Sequence, residues 1–231
     1  MLFILIVVVM AYVWMAGLCS IPSLFQNALQ CSPLINDCMY RNMYRFRRIV
    51  VIDFDEFILP LVHTTLADLV DHLDRNHSKL AKPPANYAFR NQYFFLDLPP
   101  DDDVPSHLTL LRHRRKAPIS GTGYSVKSII RPQACLAMHN HYCLVLTAGF
   151  SKNSVEISPD VAVNQHYKWC HFDNKTCTEL LAMSRRDETM LRFKAALKPR
   201  VAKKLSVITQ DPTASGTIDC SMNSCWLPKI V

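Results

Sequence analysis

The sequence predicts an α/β protein on three observations. The run Ile49-Val50-Val51-Ile52 is continuously apolar and β-branched, the pattern of a strand covered on both faces. Beyond Pro60, Leu66, Leu69, Val70 and Leu73 recur at helical spacing, so a strand is followed by a helix. Later apolar stretches are short and separated by proline- and aspartate-rich loops, which continues the interleaving of strands and helices.

The elements follow in order. The first 18 residues carry no charged side chain and approach the length of a bilayer span, which leaves a signal anchor, a signal peptide or a residual core strand as readings of segment 1–25. A basic start, usual for a signal peptide, is missing. Leu34 to Tyr44 reads as a short helix leading through the basic Arg45–Arg48 edge into the apolar strand, and Pro60 stops the extended segment. Thr64 or Thr65 is placed to cap the next helix. Phe89–Leu98 reads as a half-buried strand with Phe94, Leu96 and Leu98 on one face, and Pro99–Pro105 as an exposed loop with solvated Asp101–Asp103. Val126–Ile130 and Cys143–Thr147 read as strands. Asp187–Leu205 reads as a helix that Pro199 kinks or splits. Residues 26–210 form the expected domain and 211–231 a tail.

Lysine and arginine outnumber aspartate and glutamate 26 to 19, but the basic residues are dispersed, a pattern that suits an anionic ligand better than a nucleic-acid track. Nine cysteines favour an oxidising compartment, and the odd count leaves at least one unpaired. Cys170 and Cys177 bracket a short polar loop that a disulfide would close, and Cys220 and Cys225 are a second such pair. There is no tight CxxC to suggest zinc. Asn76 and Asn174 head sequons that fit a luminal or secreted chain.

The chemistry concentrates at Asp53-Phe54-Asp55-Glu56. On an extended chain Asp53 and Asp55 point to one side and Phe54 into the core, so the two carboxylates converge on one hard cation, magnesium or manganese. Acids directly after an apolar strand are costly unless compensated, and a metal compensates them; the alternative is a strand that ends in solvent. A phosphatase of the haloacid dehalogenase type is a distant reading, since Phe57 stands where its motif has threonine or valine.

Asn36-Asp37-Cys38-Met39-Tyr40-Arg41-Asn42, the Asp53–Phe57 block through Pro60, Lys127-Ser128-Ile129-Ile130-Arg131-Pro132, Met138-His139 and Gln165-His166-Tyr167-Lys168 together resemble, in order, the glycosyltransferase family 92 domain. The resemblance runs from Gln26 to Leu205, and Cys170, Cys177 and the helix from Glu188 fit it. It implies the C-terminal half of a GT-A fold, a mixed sheet flanked by helices, and a transferase that moves a sugar, galactose in characterised relatives, from a UDP-sugar to a glycan acceptor with Mn2+. It implies a Golgi-luminal enzyme anchored in the membrane near its N-terminus, or a secreted one. Carried over by position, Asp53, Asp55 and His166 become metal ligands, and Lys127, Arg131 and His139 contacts to the donor phosphates. The family's first sheet strands precede the Asn36 block, where this sequence has its apolar leader, and Lys168 replaces an arginine. A non-catalytic glycan-binding module of the same fold is therefore the alternative.

Overall fold

The computed structural model describes residues 2–9, 31–151, 154–170 and 176–210. They fall into two units, one drawn from Met1–Leu98 and Arg115–Arg185, the other from Pro99–Arg114 and Arg186–Val231. In the first unit the chain forms β1 (Leu2–Val9), α1 (Cys31–Asn42), β2 (Phe46–Asp53), β3 (Glu56–Pro60), α2 (Leu66–Asn76), β4 (Asn86–Phe89) and β5 (Asn91–Phe95). In the second unit lies the single turn α3 (Thr109–Arg112). The first resumes with β6 (Arg115–Lys116), β7 (Lys127–Ile130), β8 (Cys135–Met138), β9 (Cys143–Leu146), β10 (Val155–Glu156), β11 (Ala162–Lys168) and α4 (Cys177–Met183). The second unit ends with a 3-10 turn, Thr189–Phe193, and α5 (Lys194–Gln210).

The first unit is α/β with mixed sheets, as expected. One sheet has the order β1-β2-β7-β4-β10, with β1 parallel to β2, β7 antiparallel to β2 and β4, and β10 parallel to β4. A second sheet contains β6-β5-β11-β3, and β8-β9 is a separate hairpin. The apolar run of β2 does what its composition demands. Ile49 and Val51 pack with Ile35, Met39 and Ile130 on the α1 side, while Val50 and Ile52 pack with Ile58, Leu69, Val70, Leu73 and Ile129 on the α2 side. Thr65 caps α2 in a reciprocal capping box with Asp68, so the helix starts where the sequence offers two partners for its orphan N–H groups.

Of the readings left open for segment 1–25, Leu2–Val9 forms a strand, in register from Leu2↔Phe46 to Val9↔Asp53, and several other expectations are corrected. Its valine- and isoleucine-rich run suits a strand, and pairing with β2 satisfies its backbone. No helix among the described residues is long and apolar enough to cross a membrane. Phe89–Leu98 is two strands, and β5 is buried on both faces, not half-buried. Its polar residues are accommodated because Asn164 Nδ2 donates to Asn91 Oδ1 at 2.6 Å and Gln92 Nε2 donates to the Ala117 carbonyl. In the second unit Asp102 and Asp103 are exposed, as expected, yet ion-paired: Asp102 pairs with Arg112, Asp103 with the buried Arg114, and the less exposed Asp101 with Arg186 at 2.6 Å. Pro199 neither splits nor ends α5; the change of helix type falls at Phe193–Lys194, and Pro199 near the helix start forfeits one backbone hydrogen bond.

A disulfide links Cys135 to Cys143 across the β8–β9 hairpin, a pair that the loop-closing argument did not select. The side chain of Cys177, the partner expected for the buried Cys170, lies outside the described residues, as do Cys220, Cys225 and Asn174. Asn76 is exposed at the end of α2, with Nδ2 2.8 Å from His72 Nε2.

Candidate functional site

The acidic motif occupies the crossing between the two sheets. β2 ends at Asp53, Phe54 and Asp55 form a tight turn, and Glu56 opens β3 in the other sheet. The extended geometry expected for Asp53-Phe54-Asp55 is thus replaced by a turn, because the chain leaves one sheet for the other here. Phe54 does not pack into the core; it is 78% exposed.

The second sheet's register builds the rest. His166 on β11 lies opposite Glu56 on β3 and opposite Tyr93 on β5, so the three side chains form a row across neighbouring strands. The Tyr93 and His166 rings are 5.3 Å apart, and the Tyr167 N–H donates to the Asp55 carbonyl at 2.8 Å, which ties the turn to β11. From the other sheet β7 contributes Lys127. The entry to β7 is pinned at Ser125, whose φ of 47° is in the left-handed region and whose carbonyl accepts from Asn91 Nδ2 at 2.8 Å.

These residues form one chain of opposite charges. Lys127 Nζ is 2.8 Å from Asp53 Oδ2 and 3.1 Å from Glu56 Oε2. His166 reaches Glu56 Oε1 with Nδ1 at 2.8 Å and Asp55 Oδ2 with Nε2 at 3.3 Å. The Nδ1 atom makes no aligned hydrogen bond, so the Glu56–His166 contact is a charge pairing. Burial alone would raise the Glu56 pKa, yet His166 and Lys127 beside it bring it down to about 2. Burial would lower the His166 pKa, yet Asp55 and Glu56 raise it to about 9. At neutral pH the cluster therefore holds charged His166 against charged Glu56.

Asp53, Asp55, Lys127 and His166 are brought together as the sequence suggested. Lys127 has no exposed side-chain surface, and its ammonium is paired with two carboxylates, as an internal counter-ion. Arg131 is not brought to this cluster. It follows the far end of β7 and faces Asp74, 3.7 Å away. His139, in the loop after β8, is held by its backbone N–H donating to the Tyr142 carbonyl, and its Nδ1 is buried with no hydrogen-bond partner among the described residues. Burial and the charge of Lys127 hold its pKa below the ordinary value.

Sequence reasoning passed over three members. Glu56, to which the motif alone gives no role, is the link between Lys127 and His166 through its buried carboxylate. Tyr93 backs the His166 ring, and His141, two residues after His139, contacts the Val126 carbonyl through Nδ1 at 2.8 Å. Burial and Lys127 lower the His141 pKa also. The polar Glu56 next to an apolar strand was the available signal for the first; the other two depend on β5 and β7 lying alongside.

The donor types suit a hard cation, but only Asp55 and His166 present atoms to a common point, since Asp53 is engaged by Lys127. Among the described residues no three histidine, cysteine or carboxylate groups are assembled for a metal. Asp55, 45% exposed, is the arm that faces solvent.

The family model of glycosyltransferase family 92 matches residues 32–205. No curated protein matches the chain.

Proposed function

This chain belongs to glycosyltransferase family 92, and on that premise we propose that it transfers a sugar, galactose in the first instance, from a UDP-sugar to a glycan acceptor on a GT-A scaffold. The observation that carries the reading is the approach of Asp55 Oδ2 and His166 Nε2 to 3.3 Å at a half-exposed turn. These two residues would hold a divalent cation, manganese by preference, against the donor diphosphate. When bound, that ion supplies positive charge to the departing diphosphate.

The chain's own residues do the rest. Glu56, fixed by Lys127, holds His166 in place from behind, and Tyr93 limits the tilt of its ring. Because Glu56 is buried and paired on both oxygens, it positions His166 and does not accept a proton from an acceptor hydroxyl. Phe54, exposed between the two aspartates, offers an apolar face against which a sugar ring stacks. The disulfide Cys135–Cys143 supports work in the secretory pathway, in the Golgi lumen or outside the cell.

The test is incubation of the purified chain with UDP-galactose, Mn2+ and mixed glycan acceptors, beside Asp55→Ala. Transfer or donor hydrolysis by the parent chain, lost in the variant, supports the proposal; no turnover in either counts against it. A second reading, a non-catalytic glycan-binding module, is favoured by the engagement of Asp53 with Lys127, which leaves two protein donors. Calorimetric titration with UDP and Mn2+ separates the two, because a module without donor binding gives no saturable heat.

A further inference from the structure

At the other end of β7 lies a cluster that the transferase reading does not use. Arg47 and Arg48 begin β2, Arg131 follows β7, and Asp71 and Asp74 lie one turn apart on α2. The antiparallel register Ile49↔Ile130, carried one step further, sets Arg48 opposite Arg131. Like charges opposed on neighbouring strands repel unless something neutralises them, and the Arg48 side chain has no exposed surface.

The carboxylates present do not suffice. Arg47 bonds Asp71 Oδ1 at 2.6 Å and Asp74 Oδ2 at 2.5 Å, while Asp74 Oδ1 takes Arg48 Nη2, the Tyr87 hydroxyl at 2.8 Å and, at 3.7 Å, Arg131. Three guanidiniums thus share two carboxylates. Arg48 Nε and Nη1 and Arg131 Nε are buried and have no acceptor among the described residues. Arg48 stacks over the Tyr87 ring, 4.9 Å from its centroid, which holds its plane but supplies no lone pair. Burial and the neighbouring Arg131 both lower the Arg48 pKa, as expected of a cluster with surplus positive charge. The cluster is not sealed, for the side chains of Arg47 and Arg131 remain 34% and 28% exposed.

We propose that Arg47, Arg48 and Arg131 form an anion site for one compact oxyanion, a sulfate, phosphate or carboxylate group, about 13 Å along β7 from Lys127. A planar guanidinium fork is the group best suited to such oxygens, and one bound anion both balances the surplus charge and supplies the missing acceptors. On a protein that handles glycans, the anion is either free in solution or a substituent of an acidic sugar. The site does not depend on donor chemistry at Asp55.

The test is titration calorimetry of the full chain, in EDTA and at constant ionic strength, with inorganic sulfate, inorganic phosphate, galactose 6-sulfate and glucuronate against a chloride control. We expect saturable binding with one anion per chain, at concentrations well below those at which such salts stabilise proteins by exclusion. Affinity should fall about tenfold or more in both Arg131→Ala and Arg47→Ala. It should be unchanged in Asp55→Asn, which separates this site from the donor site. Tighter binding of galactose 6-sulfate or glucuronate than of the free ions assigns the anion to a sugar substituent. Absence of saturable heat in the parent chain, or binding that survives whichever of the two arginine variants folds, overturns the proposal.

Discussion

Lys127 donates to Asp53 Oδ2 at 2.8 Å from a side chain with no exposed surface, and the same ammonium lies 3.1 Å from Glu56 Oε2. A charged lysine this deep is tolerated because two carboxylates, buried Glu56 and the partly exposed Asp53, meet its ammonium. Lys127→Met keeps the apolar stem and removes the charge, leaving buried Glu56 with His166 as its remaining cation. Breaking one side of a buried pair costs about 3–5 kcal/mol, and urea denaturation should register a loss of that order. Adding Glu56→Gln to Lys127→Met should recover part of it. A loss within about 0.5 kcal/mol, the level of an ordinary surface substitution, would show that the pair does not hold the turn.

Asp55 is the contrasting case. Its carboxylate faces solvent and meets His166 Nε2 at 3.3 Å, so little of the fold rests on it. Asp55→Asn should change stability by no more than about 0.5 kcal/mol. If the proposed chemistry holds, it should lower transfer about a hundredfold or more, as loss of a charge-stabilising group does. Asp53→Asn should lower both, because it also deprives Lys127 of a partner. Equal stability losses in the two variants would contradict the assigned division of labour.

Much of this frame was legible locally. The run from Ile49 to Ile52 carries its own strand signal, and Thr65 with Asp68 carries its own cap, so neither needs a distant residue to explain it. What was misread depends on distant partners. Phe54 reads as core if the chain stays extended, and only the passage from one sheet to another turns it outward. Asn91 and Gln92 look unsuitable for a buried strand until Asn164 and Ala117 are placed beside them. Lys127 and Arg131 look like one basic pair in sequence, yet they mark opposite ends of β7 and meet different carboxylates.

The Cys135–Cys143 link has the same character, since its partners are neighbours only once β8 and β9 pair. Closing so short a loop stabilises a fold by about 2–3 kcal/mol on chain-entropy grounds. Reduction, or the double substitution Cys135→Ser with Cys143→Ser, should lower the melting temperature by several degrees. Peptide mapping of the non-reduced chain should recover the two cysteines in one cross-linked fragment. An unchanged melt together with no such fragment would rule the link out.

The final prediction concerns pH, because Glu56 and His166 shift in opposite directions. Glu56 falls from its ordinary 4.5 to about 2 in the folded state, so the stability it lends is present above about pH 4.5 and is lost as the pH falls towards 2. His166 rises from 6.5 to about 9, so its contribution is complete below about pH 6.5 and disappears as the pH rises through 9. In EDTA, thermal midpoints should therefore form a plateau between about pH 4.5 and 6.5 and decline on both sides. His166→Gln should flatten the alkaline limb. It should also weaken the acid limb, because Glu56 keeps Lys127 but loses its second cation. A parent midpoint that stays level from pH 6.5 to 9.5 would mean that His166 is neutral in the folded chain and that the charge pairing with Glu56 does not exist.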